Sequence, residues 1–240
     1  MRTDDLTLDT ADGPMRLYEA TPDDEAAGAV LVVQEAFGVN DHIEDVTRRL
    51  ADEGFHAVAP AFFHRAGGGT AGYGDMEAVM ALYEGLDGAK VLADVDVALD
   101  HLRSAGFGDE QIGVVGFCWG GWVTFQVALE RSLGASVGFY GGGIVSPGRF
   151  DGFPPLVDRA AELRTPWLGL FGDQDRGISV DDVEALRTAL GEAGVANRIH
   201  RYPDADHGFH CDARASYHEP SAKDAWGRTL EWFRSNLDVD

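Results

Sequence analysis

Basic residues are scarce in this chain. Against 41 aspartates and glutamates its 240 residues include 19 lysines and arginines, only two of them lysine (Lys90 and Lys223), for a formal net charge of −22. Neutralising phosphate needs a cationic face, so the balance argues against a nucleic-acid partner. Such an acid-rich, lysine-poor surface stays hydrated at high salt. It also follows from a codon bias toward Asp, Arg, Ala and Gly, and net charge speaks to solubility rather than fold. Cysteine is nearly missing too: Cys118 and Cys211 are too few for a disulfide framework, which suits a reducing compartment. There is no run of about 18 apolar residues to span a membrane. The opening MRTDDLTLDTADG lacks the apolar stretch of a secretory signal. These absences predict a soluble, cytoplasmic protein without nucleic-acid or membrane partners, and they leave a small-molecule substrate and a monomer or homodimer open.

What is present is a steady alternation of elements, with enough apolar residues (45 %) to build a sizeable core. Two alternating runs around Asp12-Gly13 predict an N-terminal hairpin. GAVLVVQ (28–34) is a β-branched apolar run, the pattern of a strand buried on both faces. Residues 41–54 place Ile43, Val46 and Leu50 on one helical face before a glycine stop at Gly54. FHAVAP reads as a strand, and the glycine-dense 65–74 as a mobile loop. A helical stretch over 75–104 follows, then the strand IGVVGF, a helix over 119–131 and the strand SVGFY. After a Gly- and Pro-rich loop come the strand PWLGLFG, a helix over 180–193, the strand NRIHRYP and a final amphipathic helix. Such alternation predicts a mostly parallel sheet with helices on both faces, an α/β fold. With no linker or repeat, 1–240 reads as a single domain.

In open α/β sheets ligands gather beyond the carboxyl ends of the strands. The polar residues at those ends are Glu35, Cys118, Asp173 or Asp175, and His207. Cys118 stands in the frame G-F-C-W-G-G, where serine is the better-known occupant of a sharp strand-to-helix turn. Gly116 and Gly120 suit the close backbone approach such a bend requires. The amides opening the next helix favour negative charge, a thiolate included. Nucleophile, acid and histidine follow one another in the chain order of an α/β-hydrolase triad. Asp175 is preferred to Asp173 as the acid because its spacing from Gly172 carries it deeper into the loop. His207, on a tight D-H-G turn, takes the base role. Cys118 also has the plain reading of a small buried hydrophobe.

These residues resemble the dienelactone hydrolase family (carboxymethylenebutenolidases) of the α/β-hydrolase fold, over nearly the whole chain. The resemblance rests on Q-E-A-F-G-V-N (34–40), G-F-C-W-G-G (116–121), G-D-Q-D (172–175) and D-H-G-F (206–209). It implies hydrolysis of a lactone or ester without cofactor or metal, by a Cys118–His207–Asp175 triad through a thioester. It also implies that Glu35 keeps the thiol neutral until substrate displaces it, and that the Trp119 and Ala36 amides form an oxyanion hole. An apolar lining is expected from Phe37, Phe62, Phe63, Trp122, Tyr140 and Phe209. The family's two substrate-carboxylate arginines have no counterpart: one position is Cys211, the other falls near Met76, and no arginine occurs from 66 to 102. Carboxylate substrates should therefore be weakened, unless Arg65, Arg149, Arg176 or Arg214 substitutes.

Other readings compete. His207, His210, Cys211 and Asp206 are dense enough in sequence for a metal site. Cys118 and Cys211 could pair as a redox switch. A non-catalytic scaffold, or an esterase of non-carboxylate substrates, completes the set.

Overall fold

The computed structural model describes residues 1–238. Strands β1 (Arg2–Thr10) and β2 (Gly13–Thr21) pair antiparallel with Thr10 opposite Gly13, leaving a two-residue turn at Ala11 and Asp12. Gly13 takes φ +119°, a conformation open to glycine. β3 (Gly28–Val33) is buried at every position, as a strand flanked by neighbours and covered on both faces must be. α1 (Asp41–Asp52) turns Ile43, Val46 and Leu50 inward, and Asn40 caps it by accepting from the Ile43 amide at 3.2 Å. β4 is Phe55–Pro60.

The predicted helix over 75–104 is two helices, α2 (Met76–Leu82) and α3 (Gly88–Ser104). Gly85 breaks the stretch at φ +72°, and Asp87 restarts it by accepting from the Lys90 amide at 2.9 Å. An acidic N-cap competes well with helix continuation, so the apolar periodicity on either side hid the break. β5 (Ile112–Phe117) leads into α4 (Trp119–Glu130), which is buried along nearly its whole surface. β6 (Ala135–Phe139), β7 (Trp167–Gly172), α5 (Val180–Leu190), β8 (Asn197–Tyr202) and α6 (Glu219–Asn236) follow. α5 stops three residues short of the expected end, and α6 begins at Glu219 with a proline in its first turn.

The eight strands lie in the order β1-β2-β4-β3-β5-β6-β7-β8, parallel from β4 to β8 with the hairpin antiparallel at one edge. This is the expected mostly parallel α/β sheet with an N-terminal hairpin. β3 and β5 are central neighbours, so the residues just after them, Glu35 and Cys118, emerge side by side at the carboxyl edge. Among the described residues no helix is long and apolar enough to cross a membrane.

Candidate active site

The bend after β5 is forced by its glycines. Cys118 adopts φ +56°, ψ −116°, a strained conformation for a residue with a side chain, held by its amide donating to the Phe139 carbonyl at 3.0 Å. A Cβ on Gly116 would collide with the Gly120 carbonyl. One on Gly120 would sit 2.6 Å from the Val33 and Gln34 carbonyls, and one on Gly121 2.7 Å from Gly141 Cα. Only glycine lets α4 start this close to β3 and to the loop after β6.

The strain presents the thiol to an imidazole. His207 Nε2 lies 3.1 Å from Cys118 Sγ, and His207 Nδ1 lies 2.6 Å from Asp175 Oδ2. Asp175 is buried and its other oxygen accepts from the Gly177 amide at 2.8 Å, which fixes the carboxylate. Asp173 is turned away and forked by Arg201 at 2.7 Å to each oxygen. Burial alone would lower the His207 pKa. Only together do the charge of the neighbouring sulfur and the hydrogen bonds to Asp175 and Cys118 outweigh it, and they push the imidazole up to about 10. Ala36 and Trp119 flank the thiol in the same cavity, and no hydrogen bond within the described residues uses either amide.

Glu35 differs from expectation. It is fully buried, and its partner is not the thiol but Arg214, whose NH1 donates to Oε1 at 3.2 Å; the other oxygen has no partner. Arg214 also lies 5.7 Å from the ring centres of both Phe37 and Tyr73. A buried carboxylate needs a counter-charge, and an arginine from the loop after His207 is nearer to hand than a thiol.

A cavity of about 430 Å³ opens over Cys118. Phe37, Met76, Trp119, Trp122, Phe150 and Phe153 supply its apolar wall, and Arg149, Arg176 and Arg214 its positive charge. Phe62, Phe63, Tyr140, Phe209 and Cys211, expected near substrate, are instead buried in the core and do not line it. Sequence position beside a strand end does not say whether a ring points up into a cleft or down into the sheet. Tyr140 leaves β6 at φ +37°, which turns its ring inward against Phe117 and Phe209. Arg65 is also elsewhere, locked to Asp94 and Asp12. The two family arginine positions still hold Met76 and Cys211, and of the four candidate substitutes Arg149, Arg176 and Arg214, from separate loops, line the cavity. No fixed spacing in sequence could reveal them.

The glycine-rich loop is tied down where it passes the site. Ala71 donates to the Phe37 carbonyl at 3.0 Å, and Tyr73 packs edge-on against Phe37 at 4.7 Å. The Tyr73 hydroxyl bridges Asn40 (3.2 Å) and Cys211 Sγ (3.1 Å). The one clue to this role was a single aromatic among glycines. Both cysteines are free thiols with separate partners. The competing metal reading finds no such cluster among the described residues: His210 is buried and stacked on Phe117, and the groups beside Cys211 are His42 and Asp212.

Comparison with known proteins identifies the family. The family profile "Dienelactone hydrolase family" matches residues 15–237. A Salmonella typhimurium protein named "Putative carboxymethylenebutenolidase" is 41 % identical over 226 residues, covering 91 % of this chain and 82 % of its own. One of the same name from Synechocystis is 37 % identical, covering 87 % and 86 %. A crystal structure titled as a putative dienelactone hydrolase from Klebsiella pneumoniae superposes with a TM-score of 0.89 at 39 % identity, covering 97 % of this chain and 98 % of that one. A family profile over most of the chain, relatives near 40 % identity and a fold that superposes this closely leave one assignment: this chain belongs to the dienelactone hydrolase family of hydrolases.

Proposed function

We propose that this protein hydrolyses a lactone or ester through a thioester formed on Cys118, with His207 and Asp175 completing a triad. The observation that carries the reading is the Sγ–Nε2 distance of 3.1 Å, continued by the 2.6 Å contact from Nδ1 to Asp175. An imidazole that keeps its proton to about pH 10 beside a sulfur serves as donor rather than spectator. Cys118 Sγ adds to the carbonyl carbon, and the developing oxyanion is received by the Trp119 and Ala36 amides. His207 gives its proton to the departing alkoxide as the thioester forms. It then takes a proton from water, whose oxygen attacks the thioester carbonyl, and keeps that proton as sulfur is expelled beside it and the acid product leaves. Asp175 holds the ring in the tautomer that points Nε2 at sulfur.

The apolar wall with its three arginines favours a small acyl group carrying a carboxylate, since guanidinium–carboxylate contacts are strong and directional. Curated relatives named carboxymethylenebutenolidase are in keeping with such a substrate. Cys118→Ala should reduce turnover of p-nitrophenyl esters and unsaturated five-membered lactones to background. Wild-type rates from that variant would overturn the assignment. Among substrates, carboxylate-bearing lactones should show the higher kcat/KM, and Arg214→Gln should lower that preference at least tenfold.

A further inference from the structure

Away from the cavity, three polar side chains converge where the N-terminal hairpin meets the sheet. Glu19 of β2, His56 of β4 and His101 of α3 come from three separate elements. Both imidazoles point Nε2 at one carboxylate oxygen, Glu19 Oε1, each at 2.8 Å. All three ligand atoms lie within 4.8 Å of one another. The side chains are only 9 % (Glu19), 13 % (His56) and 24 % (His101) exposed. His56 is further braced by the Phe107 ring at 5.5 Å.

We propose that Glu19, His56 and His101 bind a borderline divalent transition-metal ion, with Zn²⁺ as the best fit. Two imidazoles and a carboxylate are the donor set such ions prefer. Metal–ligand bonds of about 2.1 Å in a tetrahedron set neighbouring donors roughly 3.3 Å apart. Opening each 2.8 Å contact by about half an ångström would admit the ion, a movement within reach of side-chain rotation. A cavity of about 380 Å³ adjoins the cluster at His56 and is lined also by Asp24 and Glu25. Those carboxylates, on a chain of net charge −22, raise the local concentration of cations. The bound ion would clamp β2, β4 and α3 together and so hold the antiparallel hairpin to the parallel sheet. It takes no part in the reaction at Cys118.

Co²⁺ and Zn²⁺ titrations of chelator-stripped full-length protein test this. One equivalent of Co²⁺ should give visible ligand-field absorption with no thiolate-to-cobalt charge-transfer band, because the site has no sulfur. His101→Asn and Glu19→Gln should each weaken binding at least tenfold, and His101→Asn should keep its hydrolytic rate. With Zn²⁺ at a hundredfold excess over Kd the wild-type Tm should rise by roughly 5–10 °C, and in His101→Asn by much less. Three results would overturn the proposal: no ion bound, unchanged affinity in both variants, or a charge-transfer band. The last would place the ion on Cys118 or on His42, Cys211 and Asp212.

Discussion

Position 118 shows how much a single residue asks of its neighbours. A side chain at φ +56° is costly, yet the distortion turns sulfur toward His207 instead of into the sheet. The protonation of that histidine is a consequence of the pairing. An imidazole titration followed by NMR should have its midpoint near pH 10, and Cys118→Ala should bring it down, since the sulfur's charge is the strongest influence raising it. Asp175→Asn should leave the fold intact and cut kcat by about 10²–10⁴ through the wrong tautomer. Arg214 and Glu35 form a second coupled pair. Arg214→Gln leaves a buried carboxylate without its counter-charge, and a destabilisation of about 3 kcal/mol is expected in urea unfolding. Adding Glu35→Gln should recover at least half of it. Cys118, Asp175 and His207 were readable from local frames, because each follows a strand and keeps a glycine at a fixed offset. Arg214 was not, because nothing about a lone arginine in a loop says which carboxylate it will meet.

Elements decide what those residues can reach. α4 carries Gly120 and Gly121 in its first turn because β3 and the loop after β6 press against it. Gly120→Ala should therefore be severely disruptive, losing soluble expression or several kcal/mol of stability, since the obstacles are backbone carbonyls that cannot swing aside. By contrast Asp87→Ala should cost about 1 kcal/mol, the worth of one N-cap, as measured by the shift in urea midpoint. Strand positions were legible in sequence almost to the residue, since β3, β5 and β7 are apolar runs with sharp polar or glycine boundaries. Helix ends were less so. The break between α2 and α3 depends on Gly85 and the Asp87 cap, signals easily lost inside a periodic stretch. The glycine-rich loop, taken from composition as mobile, is anchored to Phe37 by Ala71 and Tyr73, contacts made between segments more than thirty residues apart.

At the scale of the molecule, acid sensitivity follows from buried histidines. Burial holds His210 well below its usual range and lowers His42 too. Both rings bind protons more weakly folded than unfolded, so their contribution is whole above about pH 6.5. It is lost as pH falls below that value, where the unfolded chain takes up protons the native state refuses. His207 has the opposite sign: its contribution is whole below about pH 6.5 and is lost as pH rises toward 10. Urea midpoints measured from pH 6.5 down to 5, where the His207 contribution is already whole, should therefore fall, and His210→Phe, which keeps an aromatic ring on Phe117, should flatten that slope.

By itself the sequence determined the alternation of strands and helices, the parallel sheet, and the thiol, carboxylate and imidazole that would stand at its carboxyl edge. Those are local properties: apolar periodicity, glycine placement and chain order act over a few residues. Only the tertiary structure decided that Glu35 meets Arg214, that three arginines share one cavity, that Tyr140 and Phe209 face the core, and that Glu19, His56 and His101 converge. Each of these joins segments distant in the chain. The positions depend on how sheet twist and helix packing aim side chains in space, and such angles leave no repeat for a sequence to display.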